Sequence, residues 1–255
     1  MKLGEQTPAI ITGGASGLGA AVATALRAEG VPVGILDMNA DAGAEFARDI
    51  GASFAQCDIS DPAAVTPALD SLRDRQGQER LCVNCAGIAP AAKTISRGAA
   101  HDPALFAKVV GVNLIGTFNV ATQSALGMSQ AEPLNDDGER GVIVNTASIA
   151  AYEGQMGQLA YASSKAGVVG LTLPMARDLA KSGIRVAAIA PGIFATPMVT
   201  AFPQELQDAL AQTSEFPRRL GRVAEFAELV MHIARNTMLN GEVIRLDAAT
   251  RMQAK

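Results

Sequence analysis

Short apolar runs alternate along the chain with longer segments of helical period. Residues 8–12 (Pro-Ala-Ile-Ile-Thr) form the first run, and after a cluster of glycines residues 20–29 carry apolar side chains at helical spacing. Val33–Asp37 predicts a second strand, residues 41–50 a polar, Ala-rich helix, and residues 53–57 a third strand. Asp61 followed by Pro62 is a helix start, a side-chain cap ahead of a ring suited to the first helical position, and predicts a helix to about Arg75. Leu81–Asn84 reads as a fourth strand, and a long helix from about Pro103 to Met128 follows. The second half repeats the pattern: strand Gly141–Thr146, helix 159–181, strand 184–190, an irregular segment 191–216, helix Val223–Arg235 and a closing strand 242–246. Strands this apolar cannot leave a face in water. They predict one α/β domain over residues 1–255, a doubly wound, seven-stranded parallel sheet with helices on both faces. Polar residues 93–102 and 130–140 predict surface loops, the second with no role beyond solvation.

Composition narrows the function. Of 255 residues 49% are hydrophobic and 18% charged, the balance of a packed globular protein rather than a disordered one. A net charge of −4 is not the basic footprint of a nucleic-acid binder. Two histidines, His101 and His232, leave little for a His-based metal site, and no metal is expected. No run of about 18 apolar residues predicts a bilayer span, and residues 1–8 lack the apolar stretch of a signal peptide. Three cysteines (Cys57, Cys82, Cys85) are an odd, sparse set that points to a reducing, cytoplasmic compartment. Cys82 and Cys85 fall on opposite faces of a strand, with no second Cys/His pair to complete a metal site, so a structural role is expected.

Several residues carry candidate chemistry. Thr12-Gly13-Gly14-Ala15-Ser16-Gly17-Leu18-Gly19 joins the first strand to the first helix. Glycines there permit a tight turn, close approach of a pyrophosphate to backbone N–H groups, and tight helix–sheet packing; an ordinary Gly-rich turn is the alternative. Asp37, ending the second strand with no Arg or Lys directly after it, can accept from ribose hydroxyls and repel a 2′-phosphate, which favours NAD over NADP. Tyr161 and Lys165, four apart on a helix, share a face, and a cation beside a phenol favours the phenolate. Ser148, at the carboxyl edge of the fifth strand, can hold a substrate oxygen or simply cap a helix. Asn113 interrupts an apolar helix, so it is a structural polar bridge or part of a proton path.

Taken together, Thr12-Gly13-x-x-x-Gly17-x-Gly19, Asn84-Cys85-Ala86-Gly87, Asn113, Ser148, Tyr161/Lys165 and Pro191-Gly192-x-x-x-Thr196 resemble the classical short-chain dehydrogenases/reductases over nearly the whole length. That resemblance implies a single-domain Rossmann fold and an oxidoreductase interconverting a secondary alcohol and a ketone. It implies Tyr161 as acid/base, Lys165 on the nicotinamide ribose, Ser148 on the substrate oxygen and Asn113 holding a relay water. It also implies NAD contacts at Gly13, Ser16, Gly17, Leu18, Gly19, Asp37, Asp58, Ile59, Asn84, Ala86, Gly87, Pro191, Gly192, Ile193 and Thr196. Cys85 departs from the usual second Asn of its turn. Residues 141–148, 153–158, 173–179, 216–221 and 239–247 further resemble the type-2 3-hydroxyacyl-CoA dehydrogenase subgroup, also described as 17β-hydroxysteroid dehydrogenase type 10. The subgroup implies a small-molecule substrate (a 3-hydroxyacyl-CoA, a hydroxysteroid or a small secondary alcohol) and a homotetramer.

The segment from residue 193 to about 220 is expected to cover the substrate through Phe194, Met198, Phe202 and Leu206, although core packing is the competing role for such side chains. Gln155 and Gln158 are expected polar contacts in the pocket, and Lys93 and Arg97 are candidates for CoA phosphates at its rim. The rivals are a 3-oxoacyl-carrier-protein reductase, which Asp37 argues against, and a non-enzymatic NAD-sensing scaffold. The nucleophile elbow Gly-x-Ser-x-Gly and the P-loop are both absent from the sequence.

Overall fold

The structure, a computed structural model, describes residues 1–254. In its first half β1 (Ala9–Thr12), α1 (Gly17–Ala28), β2 (Val33–Asp37), α2 (Ala40–Ile50), β3 (Ser53–Gln56), α3 (Pro62–Gln76) and β4 (Leu81–Asn84) alternate. A small hairpin follows, β5 (Ile95–Ser96) and β6 (Ala99–Ala100), then α4 (Pro103–Val110) and α5 (Thr117–Gln130). The second half holds β7 (Gly141–Thr146), α6 (Ala150–Glu153), α7 (Leu159–Leu179), β8 (Ile184–Pro191), α8 (Pro197–Thr200), α9 (Gln204–Ala211), α10 (Val223–Arg235) and β9 (Val243–Leu246).

Seven strands pair in parallel in the order β3-β2-β1-β4-β7-β8-β9. On one face Leu26 of α1, Ala47 of α2 and Phe226 of α10 pack on Ile11, Ile35 and Val144. On the other, Leu69 of α3, Val120 of α5 and Ala176 of α7 pack on Ile10, Cys82 and Ile143. Both faces are therefore covered, as the unbroken apolar strands require. Asp61 caps α3 by accepting from the Ala63 N–H, with Pro62 at the first position.

Two loops are more structured than their polarity predicts. Residues 93–102 form the β5–β6 hairpin, whose two turn residues Arg97 and Gly98 both take positive φ, the geometry that matches strand twist. Residues 130–140 are not merely solvated. Glu139 is buried and pairs with Arg185 of β8 at 2.9 Å and with the Met1 amino group at 3.0 Å. A buried guanidinium needs a counter-charge, and this loop supplies it. Arg185 also donates to the carbonyls of Ile233, Ala234 and Leu239.

The long helix is one rod, Pro103–Gln130, with a π-helical turn at Gly111–Gly116 between α4 and α5. By length and composition it is the one described helix able to cross a bilayer. Here its inner face packs on α3, α7, β4 and β7. The widened turn holds Asn113, and such turns are common at functional sites.

Candidate active site

The strand order reverses at β1, whose neighbours β2 and β4 lead away in opposite directions, and ligands bind such sheets at the carboxyl ends beside that reversal. A cavity of about 570 Å³ opens there. Its floor is the glycine loop. Gly13 has φ +62°, and a Cβ on it would lie 2.8 Å from the Ala86 backbone; a Cβ on Gly19 would strike the Gly13 carbonyl. Gly17, at φ +54°, lies under Thr196, whose Cγ2 would meet a Cβ at 3.4 Å. Close backbone packing at Gly13 and Gly19 and left-handed backbone at Gly13 and Gly17 require glycine, and the bare loop at the α1 N-terminus opens on the cavity as a cradle that suits a pyrophosphate. Thr12 Oγ1 accepts from the Cys85 and Ala86 N–H groups at 3.1 and 3.2 Å and fixes the facing turn.

Asp37 lines the same cavity with its carboxylate held in place: Oδ2 accepts from Ala15 N–H at 3.1 Å and Oδ1 from Asn39 N–H at 3.0 Å. Asp58 accepts from the Ser60 N–H and hydroxyl at 2.9 and 2.7 Å, and lines the wall with Ile59. Ser16, Leu18, Ala86, Gly87, Pro191, Gly192, Ile193 and Thr196 open on the cavity as well. The residues present fit a dinucleotide: the glycine loop and the Asp37 carboxylate open on one cavity.

Ser148, Tyr161 and Lys165 line this same cavity. Ser148 follows β7, and its Oγ accepts from the Ala150 N–H at 3.1 Å. Tyr161 and Lys165 sit on the inward face of α7, with the Lys165 Nζ 5.8 Å from the Tyr161 ring centroid. Burial acts against the effect expected of the neighbouring cation. Tyr161 keeps part of its surface open to the cavity, yet burial of the phenol raises its pKa above 10, and a hydrogen bond with Ser148 offsets this only in part. Burial also pulls Lys165 down to about 8, and its ammonium donates to the Thr146 carbonyl at 2.7 Å. The enclosure that gathers cation and phenol also strips water from both, and desolvation dominates.

Other expected residues stand behind the site or outside it. Asn113 is fully buried and does not line the cavity. Its Oδ1 accepts from Ile88 N–H at 2.8 Å, and its Nδ2 donates to the Ile88 carbonyl at 2.9 Å and to Ser164 Oγ at 3.0 Å. It thus clamps the turn after β4 to α7. Asn84 is also absent from the wall: its Nδ2 donates across the sheet to Asn145 Oδ1 at 2.9 Å, because it lies inside the strand rather than past its end. Leu206 and Phe202 are exposed and off the cavity, which takes Leu210, one helical turn beyond Leu206, together with Met198. Phe194 lines the cavity and also packs edge-on to Phe226 at 6.3 Å, so it is core and wall at once.

Gln155 and Gln158 reach the cavity with their amides already engaged. Gln158 Oε1 accepts from Gln155 N–H at 3.0 Å, and Gln155 Nε2 donates to the Gln253 carbonyl at 3.1 Å. Cys85 faces the cavity with its thiol pushed up to about 11 by burial, and all three cysteines are free. Met252 also lines the cavity. Neither period nor motif marks it in the sequence; only the tertiary path of the chain brings it there.

A glycine cradle, a carboxylate at the end of β2 and a Ser-Tyr-Lys cluster in one cavity define a nicotinamide-dependent oxidoreductase. The chain belongs to the short-chain dehydrogenase family, whose model matches residues 7–207. It is 51% identical over 249 residues to the 3-hydroxyacyl-CoA dehydrogenase type-2 of Bos taurus, covering 96% of this chain and 95% of that one. It is 49% identical over 247 residues to the protein of the same name from Drosophila melanogaster, covering 95% and 96%. The crystal structure of 3-hydroxyacyl-CoA dehydrogenase type-2 from Mycobacterium avium superposes with a TM-score of 0.95 at 41% identity, over 100% of both chains.

Proposed function

We propose that this enzyme interconverts 3-hydroxyacyl-CoA and 3-ketoacyl-CoA thioesters, with NAD(H) as its nicotinamide cofactor. The observation that carries the reading is the opening of Ser148, Tyr161 and Lys165 onto the cavity that holds the glycine cradle and Asp37. The names of the relatives support the substrate class. Asp37 supports NAD: its anchored carboxylate stands where a 2′-phosphate would meet like charge.

The cofactor supplies the hydride acceptor for oxidation and the donor for reduction. The protein handles the proton and the substrate oxygen. Tyr161 takes the hydroxyl proton during oxidation and returns it during reduction, and Ser148 holds the same oxygen. Lys165 binds the nicotinamide ribose and keeps a positive charge by the phenol, since at pH 7 a group of pKa about 8 is mostly protonated. Asn113 acts through Ile88 and Ser164, as a positioning residue.

Met198 and Leu210 offer an apolar wall that suits an acyl chain and equally a steroid ring or an alkanol, so these remain the second substrate class. A homotetramer belongs to the same proposal. Ile115, Phe118 and Leu126 on the long rod, and Leu159 and Leu173 on α7, are large apolar side chains left exposed, and a subunit interface would bury them. Light scattering on the purified protein tests it. A reducing, cytoplasmic compartment is proposed from the three free cysteines.

The deciding assay follows nicotinamide absorbance with NADH or NADPH against acetoacetyl-CoA, a ketosteroid and a 2-alkanone. Reduction of acetoacetyl-CoA with NADH is expected to be the most efficient. Turnover of the other substrates without the thioester would overturn the acyl-CoA reading, and tight cofactor binding with no turnover at all would favour a sensing protein.

A further inference from the structure

We propose that residues 247–254 form a strap across the substrate end of the cavity, with Met252 as a chain-length-determining contact and Glu153 as the positioning residue that anchors it. The acyl part of this proposal rests on the substrate reading above; the strap itself rests on geometry alone. After β9 the chain runs from the Gly192 side of the cavity to its Gln155 side; Met252 lines this cavity, while Asp247 and Ala248 line a neighbouring one of about 520 Å³. Asp247 packs against the cofactor loop, where a Cβ on Gly192 would lie 3.0 Å from the Asp247 Cα. The Ala248 carbonyl accepts from the Glu215 and Phe216 N–H groups at 3.0 and 3.5 Å, at the end of the covering segment. The strap then crosses to residues 153–158, of which Gln155 and Gln158 line the cavity. There the Gln253 carbonyl accepts from Gln155 Nε2 at 3.1 Å and the Ala254 carbonyl from Met156 N–H at 3.0 Å. Between these ties Met252 is half-buried and lines the cavity.

An ion cluster holds the crossing. Arg245 donates to both Glu153 oxygens at 2.9 and 3.1 Å and to Asp247 Oδ2 at 2.8 Å. Arg251 reaches Glu153 at 3.5 Å and Asp247 at 3.3 Å. The Glu153 carboxylate also accepts from the Met252 N–H itself at 3.3 Å, directly fixing the residue that enters the cavity. Arg245 keeps Glu153 below the usual carboxylate range, so the anchor stays ionised under assay conditions. The turn into the strap needs that anchor. Ala248 and Ala249 both hold left-handed backbone, φ +50° and +60°, a conformation an L-residue leaves when nothing holds it. Methionine is unbranched and adaptable, a side chain that follows a flexible apolar chain rather than a fixed polar group.

The test uses the full-length enzyme, Met252→Ala and Glu153→Gln, assayed with NADH against two parallel series: 3-ketoacyl-CoA thioesters and 2-alkanones of increasing length. Met252→Ala is expected to raise KM by about fourfold or more for the long members, the equivalent of one lost methylene contact or more, and by progressively less for shorter ones. Glu153→Gln should reproduce that length-dependent rise and speed hydrogen exchange at the Met156 amide. A KM change that is uniform along both series, or no change, would overturn the specificity role of Met252. Unaltered exchange at Met156 in Glu153→Gln would overturn the anchor. If the parent enzyme ignores the thioesters but reduces the alkanones, the substrate reading fails while the second series still judges the strap.

Discussion

Lys165→Met separates what the buried ammonium does for chemistry from what it does to stability. Burial lowers the Lys165 pKa from 10.5 to about 8, a difference worth roughly 3 kcal/mol against the charged form in the folded protein. Below pH 8 the group is protonated in both folded and unfolded chains, so the whole cost is present. Between pH 8 and 10.5 the unfolded chain binds more protons than the folded one, and the wild type gains stability as pH rises. Above 10.5 both are neutral and the cost is gone. Methionine has a similar length and no charge, but it leaves the Thr146 carbonyl without its donor, a loss of about 1–2 kcal/mol. The variant should therefore be more stable than wild type at pH 7 by about 1–2 kcal/mol, or roughly 2–8 °C in Tm for a chain of this size. Near pH 10.5 the order should reverse. Denaturant titrations of both proteins at the two pH values measure it, with turnover expected to collapse in the same variant at both. A variant less stable than wild type by an equal margin at both pH values would refute the reasoning.

Tyr161→Phe should keep NADH affinity yet lose at least about 100-fold in kcat, the lower end for a general acid–base group; near-normal turnover would remove Tyr161 from the chemistry. Because burial holds the phenol above 10, alcohol oxidation should rise with pH as phenolate forms while ketone reduction falls, and a flat pH–kcat/KM profile in the oxidative direction would contradict this. Asp37→Ala removes the carboxylate tied to Ala15 and Asn39 and should shift the NADH/NADPH ratio of kcat/KM toward NADPH by at least about tenfold, a charge-assisted hydrogen bond being worth about 1.5–3 kcal/mol. Glu139→Gln leaves the buried Arg185 without its carboxylate and should cost about 3 kcal/mol in denaturant titration, the low end for a broken buried pair because Arg185 retains carbonyl partners. A loss below about 1 kcal/mol would show that those carbonyls suffice.

The regular elements were legible because their signals are local. The limits of β7, β4 and α10 follow from runs of side chains that must all be buried or all lie on one helical face, and the start of α3 follows from Asp61 and Pro62. The glycine loop was legible too, since positive φ and close backbone approach leave little choice of residue. Polarity misled where a charge had a distant partner. Glu139 reads as one more acidic loop residue, and only the approach of Arg185, 46 positions on, makes it part of the interior. Asn84 and Asn113 have the residue types of a site, but their amides serve a neighbouring strand and the turn at Ile88.

The sequence by itself determined the alternation of strands and helices, the glycine loop after β1 and the shared helical face of Tyr161 and Lys165, because each depends on spacing within one or two elements; that Ser148 joins them was implied by the resemblance to the short-chain dehydrogenases. Tertiary structure alone decided the protonation tendencies of Tyr161 and Lys165 and the arrival of Met252 at the cavity. Desolvation is a property of everything packed around a group, and a strap's position depends on the ion pairs at its far end; neither leaves a mark in the order of neighbouring residues.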